Sequence, residues 1–398
     1  MNKPSKGVIV YVGPMAFPNG GAAARRILGI SKSLILAGYK VIVGSGQMPS
    51  NSTPECFDFD GITVHSLGER IAESKPTLLK HLVYIMMGRR TVEWLKSLKE
   101  KPIAIILYSG DTPYLLRLRP YCKKESIPII YEACEWYDPN NMPGGRYAPY
   151  RFNFELAIRY LVPRIRNVIT ISSFLTDYYN SKHCHVVCIP PTLDTKLDDN
   201  IIPKNKKPLI NIGYTGMPAK KDLFNNILEA LLQVDPEGKR FRFRVAGISN
   251  SQLFSYPAFR KRKINTLPSL IVNYGIIEHS EAIKVIRDCD FSVLIRYNKR
   301  YANAGFPTKV VESMSLGTPV ICNLTSDLNK YIYDGISGIV VKDESVNNLV
   351  ISLERITTLS PNELDQMSIT CKEIAQKHFD FRLYTNPLIQ FLQGLKNL

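Results

Sequence analysis

The eight cysteines are scattered singly along 398 residues. They form neither the close pairs of a metal site nor the even framework of a disulfide scaffold, so a reduced, cytoplasmic setting is predicted. Cys184 and Cys188 fall in a His-Cys-His-Val-Val-Cys run, which reads as a buried strand rather than a ligand set. Long hydrophobic runs are missing too. The longest, Leu82 to Met87, is far short of the roughly twenty residues needed to span a bilayer. Met1 to Lys6 leads straight into a strand-like run, so no signal peptide is expected. Acidic residues are outnumbered, 35 against 51 basic, leaving a net charge of +16. That excess calls for an anionic partner: a lipid surface, a pyrophosphate-linked acceptor, nucleotide phosphates or nucleic acid. No nucleic-acid motif is present and the basic residues are dispersed, so nucleic acid is not expected.

What is present is an ordinary globular composition, 45% hydrophobic and 22% charged, in a chain long enough for two or three domains. Val8-Ile9-Val10-Tyr11-Val12 is an apolar run without alternation, as in a buried parallel strand. A loop with Asn19, Gly20 and Gly21 follows, then a helical stretch from Ala22 to Ala37 stopped by Gly38, then a strand at Lys40 to Val43. Strand-like runs recur at Ile103–Tyr108, Ile127–Tyr131, Val168–Ile171 and Val186–Ile189. Pro190-Pro191 breaks the pattern, and the polar stretch from Asp194 to Pro208 reads as a connector. Alternation restarts at Leu209 and continues through Phe241–Ala246, Leu270–Tyr274, Phe291–Ile295, Pro319–Cys322 and Gly338–Val341. Strands alternating with helices predict an α/β chain with two Rossmann-like domains, whose parallel sheets place a ligand cleft at the strands' carboxyl ends.

The densest signal is Ala304-Gly305-Phe306-Pro307-Thr308-Lys309-Val310-Val311-Glu312-Ser313-Met314, continuing through Gly317-Thr318-Pro319-Val320-Ile321. Pro307-Thr308 opens a helix, Gly317 ends it, and Pro319 leads into a short strand. Unpaired N–H groups at such a helix start face an anion, and a carboxylate more than one turn in, Glu312, can take two sugar hydroxyls. The alternative for Thr308, Lys309 and Glu312, which share one helix face, is a surface ion pair.

This stretch resembles the sugar-nucleotide site of retaining glycosyltransferases of the GT-B fold, the group 1 glycosyltransferases, many of which build bacterial surface polysaccharides. The resemblance implies a ribose contact for Glu312 and donor contacts at Gly305 and Phe306. The family's first glutamate falls on Ala304 here, a departure that leaves the donor sugar open. Tyr214-Thr215-Gly216-Met217-Pro218-Ala219-Lys220-Lys221-Asp222 matches a second site, where the family grips the pyrophosphate with an arginine and a lysine. Lys221, or Lys220, matches the lysine, while Met217 replaces the arginine. Arg296, Arg300 and Lys309 are the candidate substitutes, with Gly216 allowing close approach. The loop at Gly20 and Gly21 matches the family's loop beside the donor phosphates; its plain alternative is a tight turn between strand and helix.

No catalytic histidine is apparent. Glu135 and Asp138, in Glu132-Ala133-Cys134-Glu135-Trp136-Tyr137-Asp138, follow a strand and are the candidates to position the acceptor hydroxyl or take its proton; the alternative is that Glu135 orders the loop. Lys80 to Arg90 has basic ends around an apolar middle and suits either an anionic membrane surface or an ordinary amphipathic helix. Arg260-Lys261-Arg262-Lys263 is a second basic run.

The resemblance implies an acceptor domain over 1–190, a sugar-nucleotide domain over 191–375, and a segment 376–398 whose helix returns to the first domain. It implies a UDP- or GDP-sugar donor, a saccharide or polyprenyl-linked acceptor, and retention of configuration. No cofactor and no metal are expected. The setting would be cytoplasmic, with peripheral contact to the inner face of the plasma membrane. Two rivals remain: a nucleotide-sugar epimerase on the same fold, and a basic nucleic-acid-binding protein.

Overall fold

The computed structural model describes residues 5–50, 54–70, 83–109, 112–137, 149–196, 209–218 and 221–397. The chain divides into two compact units. The first is Met1–Asp194 with Asp380–Leu398, and the second is Thr195–Phe379. Most of the predicted connector, 197–208, lies outside the described residues.

The first unit is built on an eight-stranded sheet. Its strands are β1 (Val8–Val12), β2 (Lys40–Ser45), β3 (Cys56–Phe59), β4 (Ile62–Ser66), β5 (Ala104–Tyr108), β6 (Ile129–Ala133), β7 (Asn167–Thr170) and β8 (His185–Cys188). They lie in the order β3-β4-β2-β1-β5-β6-β7-β8. Every residue of β1 and β6 is buried, as expected of strands covered on both faces. Helix α1 (Ala22–Leu36) packs Ile27, Ile30 and Leu34, spaced by three and four, onto Ile9, Tyr11, Val41 and Val43. Gly38, at φ 93°, follows its end. Helices α2 (Thr112–Glu125) and α3 (Ser173–Asn180) follow β5 and β7. Ser172 caps α3 by accepting from the Leu175 N–H, the role expected of a serine there. The sheet is parallel except for β3, which pairs antiparallel with β4 through a turn at Asp60-Gly61, at φ 52° and 76°.

The second unit holds β9 (Ile210–Thr215), β10 (Phe241–Ala246), β11 (Ile271–Asn273), β12 (Phe291–Leu294), β13 (Val320–Asn323) and β14 (Gly338–Val341). Their order is β11-β10-β9-β12-β13-β14, and all pairs are parallel. Helices α4 (Phe224–Val234), α5 (His279–Arg287) and α6 (Thr308–Ser315) follow β9, β11 and β12. The strand order reverses between β9 and β12, so the loops leaving those two strands diverge and open a crevice at their carboxyl ends. In the first unit the reversal lies between β1 and β5.

Helix α7 (Thr385–Gln393) belongs to the first unit, where Leu388 and Phe391 join the core beneath α1. Among the described residues no helix is long and apolar enough to cross a membrane.

Candidate functional site

The reversal point of the second unit gathers residues far apart in sequence. β9 runs into Gly216, whose φ of 84° favours glycine, and its N–H donates to the Ala246 carbonyl at 2.8 Å. The neighbouring β10 runs into Gly247, at φ 96°, where an added Cβ would lie 2.7 Å from the Gly216 Cα. Two glycine turns are thus stacked in contact. The first turn of α6 closes on them, since a Cβ at Gly216 would lie 3.3 Å from Lys309 Cε. α6 has no side-chain cap at its start, so its first N–H groups point out of Pro307 without a capping side chain. Its other end is pinned to the sheet, where Ser313 Oγ donates to the Thr318 carbonyl at 2.7 Å and meets Ser292 Oγ at 2.6 Å.

Asp222 is the hub. Its carboxylate accepts from Arg296 Nε at 2.7 Å, Lys309 Nζ at 2.9 Å and Tyr214 Oη at 2.7 Å. Lys309 Nζ also donates to Tyr214 Oη at 2.8 Å and stands 4.1 Å from the centre of its ring. Arg296 is held through its backbone as well: its N–H donates to Asn323 Oδ1 at 2.9 Å, and Asn323 Nδ2 returns to its carbonyl at 2.7 Å. Burial alone would raise the Asp222 pKa, but the charges of Arg296 and Lys309 and the hydrogen bonds from Lys309 and Tyr214 outweigh it and hold it below the usual carboxylate range. Burial lowers the Lys309 ammonium, with Asp222 opposing and Arg296 reinforcing the shift. Burial pushes the Tyr214 phenol well up, and the Asp222 charge adds to it. Two cations share one carboxylate, so the cluster keeps one positive charge for an incoming anion.

Glu312 stands on the same helix as Lys309, with its side chain 12% exposed and Oε1 3.6 Å from Nε2 of His279, the first residue of α5. Lys309 turns to Asp222 instead, so the proposed surface pair between Lys309 and Glu312 gives way to a buried cluster. Arg300 opens the short helix Arg300–Ala304 between β12 and α6. Lys221 is half-buried, and its carbonyl accepts from Tyr301 Oη at 3.3 Å. Lys220 lies outside the described residues. Gly305 links the two helices in extended backbone at φ −85°. The Phe306 ring is 6% exposed and packs on Tyr331 and Phe379, with centroids 5.8 and 5.9 Å away. The ring therefore belongs to the core, and only the backbone at Phe306 is left to meet a donor. Ala304 is fully buried, whereas Met217 is 66% exposed.

In the first unit, a Cβ on Gly20 would lie 1.9 Å from the Ala16 carbonyl oxygen, so backbone packing alone demands glycine there. Gly21 precedes α1 at φ 64°, with nothing within 4 Å of where its Cβ would be. Glu135 is half-buried just beyond β6, and Asp138 lies outside the described residues. The group beside Glu135 carries no motif or spacing by which it could be read from the sequence. Arg26 of α1 and Glu132 of β6 form an ion pair at 2.6 Å, 3% and 0% exposed, and Arg26 also donates to the Pro190 carbonyl. Burial pushes the Glu132 carboxyl well up, and it does the same to Cys134 and Tyr108 nearby.

The two basic runs separate. Lys80, His81 and Leu82 lie outside the described residues, while Ile85 and Met86 are 56% and 45% exposed, and Arg89 pairs with Glu93 at 2.9 Å. In the second run, Arg262 is bound to Glu229 at 2.5 Å. The His-Cys-His-Val-Val-Cys run ends in β8, where His185 stacks on Phe391 at 4.6 Å.

This architecture is that of the GT-B glycosyltransferases. It superposes on a sucrose-phosphate synthase from Thermosynechococcus elongatus with a TM-score of 0.74 at 14% identity, covering 98% of each chain. It superposes on Anabaena Alr3699/HepE, solved with UDP and glucose, with a TM-score of 0.68 at 14% identity, covering 98% of this chain and 100% of that one. Residues 210–358, within the second unit, match the family model for group 1 glycosyl transferases. A putative colanic acid biosynthesis glycosyltransferase, WcaL of Escherichia coli K12, is 24% identical over 196 residues, 47% of this chain and 46% of that protein. The chain spans about half the length of the curated relatives it matches.

Proposed function

We propose that the protein is a glycosyltransferase that moves a sugar from a nucleotide-diphosphate donor to a saccharide or lipid-linked acceptor in cell-surface polysaccharide synthesis, with retention of configuration. One observation carries this reading. At the reversal point of the second unit, the Gly216 turn, the start of α6, the Arg296–Asp222–Lys309 cluster and Glu312 converge within one compact unit. A diphosphate needs backbone N–H donors, close approach and positive charge, and these features supply all three. Glu312, one turn further along, stands where a carboxylate accepts hydroxyls of the attached ribose. Anabaena HepE was solved with UDP, which supports a UDP donor, and the name of WcaL supports a polysaccharide product.

Catalysis on this reading is electrostatic. Negative charge builds on the leaving diphosphate, and Lys309 and Arg296 are already oriented by Asp222, so little reorganisation is required. No metal is assigned a role, because helix N–H groups and these cations serve the leaving group. The acceptor is assigned to the first unit, with Glu135 and Asp138 near its hydroxyl, and Gly21 leaving α1 open beside it.

Calorimetry with UDP tests the donor site. Glu312→Ala removes a charged hydrogen bond, about 1.5–3 kcal/mol, and is expected to weaken UDP at least about tenfold with an unchanged melting temperature. Equal affinity would remove Glu312 from the site. A product assay with UDP-sugars in EDTA then separates the rivals: conversion of donor without acceptor would mark an epimerase.

A further inference from the structure

A second concave site lies in the first unit, at the amino ends of its strands β7 and β8. A cavity of about 770 Å³ is lined by Arg119, Arg164, Arg166, Lys182, His183 and Lys396, with Pro163 and Asn397. Arg164 and Arg166 precede β7, and Lys182 and His183 precede β8, so the cavity opens at the amino ends of these strands. The Gly21 turn and Glu135 stand at the carboxyl ends. The volume suits a small ligand rather than a single ion.

The charge at this cavity is one-sided. No aspartate or glutamate lines it, and among the described ion pairs none involves Arg119, Arg164, Arg166, Lys182 or Lys396. Elsewhere in the same unit arginines meet acids, as Arg26 meets Glu132 and Arg159 meets Glu155. Gathering unneutralised cations around one hollow raises the energy of the empty protein, and an anion of matching charge relieves it. Three of them are arginines, whose planar forks match phosphate oxygens two at a time.

The backbone around the cavity is fixed. Arg166 and His183 both adopt left-handed conformations, at φ 71° and 57°, unusual for side chains of their size. His185 N–H donates to the Arg166 carbonyl at 2.6 Å. Lys396 is held by Asn167, itself fully buried, through bonds of 2.8 Å to both its N–H and its carbonyl, and Lys396 Nζ donates to the His183 carbonyl at 3.3 Å. The C-terminal segment thus delivers a cation to the rim from a distant part of the chain.

We propose that this cavity is a binding site for a compact, multiply charged phosphate, separate from the donor site of the second unit. Its source is either a soluble phosphorylated ligand or the headgroup of an anionic phospholipid. The test uses the full chain near physiological salt. With the donor site saturated by UDP, inorganic tripolyphosphate is titrated by calorimetry into wild type, Arg164→Gln/Arg166→Asn and Lys182→Gln/Lys396→Gln. Asparagine tolerates the left-handed backbone at 166. A soluble ligand predicts at least tenfold weaker tripolyphosphate binding in both variants, with UDP affinity within twofold of wild type. A lipid source predicts no such titration but flotation with vesicles containing cardiolipin, whose headgroup carries two phosphates, absent with phosphatidylcholine and lost in both variants. Should the arginine pair melt early, the lysine pair, exposed on the rim, decides alone. Tripolyphosphate and vesicle binding that both variants retain would overturn the proposal, as would citrate binding as tightly as tripolyphosphate.

Discussion

Asp222 shows what a single side chain does at the candidate donor site. Its 3% exposed carboxylate lies between Arg296 and Lys309, whose side chains are 14% and 27% exposed. Removing the charge leaves two cations facing each other without their shared counter-charge. Asp222→Asn is therefore expected to destabilise the second unit by roughly 3 kcal/mol, the scale of breaking a buried pair, and to loosen Lys309. The pH dependence has a definite sign. The folded-state pKa of Asp222 is depressed, so its stabilisation is present above the unfolded value of about 3.9 and lost as pH falls through the lower folded value. Urea unfolding from about pH 6 down to pH 3 is expected to show a steep acid loss in wild type and a shallower one in Asp222→Asn. Parallel curves would show that the cluster is not what acid dissolves. Arg296 and Lys309 were legible as cations near a helix start, but their clamp was not. Nothing in the spacing of positions 222, 296 and 309 brings them together; the sheet order does, by setting β9 beside β12. The direction of the Phe306 ring was not legible for a related reason, since a motif gives a residue's place in the chain but not which way its ring turns.

At the scale of elements, α1 carries the sharpest test. Glycine inside a helix ordinarily costs about 1 kcal/mol relative to alanine, so Gly29→Ala would normally stabilise. Here a Cβ at Gly29 would lie 2.2 Å from Thr192 Oγ1 and 2.8 Å from the Thr192 carbonyl oxygen. The sign is expected to reverse, with a net loss of about 1–2 kcal/mol from overpacking and a lower first-unit melting temperature. A stabilised Gly29→Ala protein would mean that the segment Pro190–Thr192 moves away at little cost. The parallel strands and α1 were legible because buried strands make unbroken apolar runs and Gly38 marks a helix end. The β3–β4 hairpin was not read, although Asp60-Gly61 is a strong turn signal. Its β3 strand, Cys-Phe-Asp-Phe, is half exposed and short, and repeated strand–helix alternation leads the eye past an antiparallel edge.

For the whole molecule, the decisive property is that the first unit is discontinuous in sequence. Asp380–Leu398 belongs to it after the entire second unit has been completed. No spacing in the sequence predicts such a return, which is why it entered only through family resemblance. The structure shows what ties the segment down. Leu193 and Asp380 form a parallel bridge, Arg382 grips Asp194 with two bonds of 2.9 and 3.0 Å, and Ser33 of α1 donates to the Phe381 carbonyl at 2.6 Å. Leu388 and Phe391 are 1% and 3% exposed within the core under α1. Burying two such side chains is worth about 3–6 kcal/mol, comparable to the whole stability of a typical domain, about 5–15 kcal/mol. A chain ending at Phe379 is therefore expected to lose the first unit's cooperative transition, or to show it at much lower temperature. The second unit, Thr195–Phe379, keeps all of its strands and the Asp222 cluster, so its transition and its UDP affinity should persist. Differential scanning calorimetry with and without UDP reads both at once. Equal destabilisation of the two transitions would show that the segment supports both units rather than the first alone.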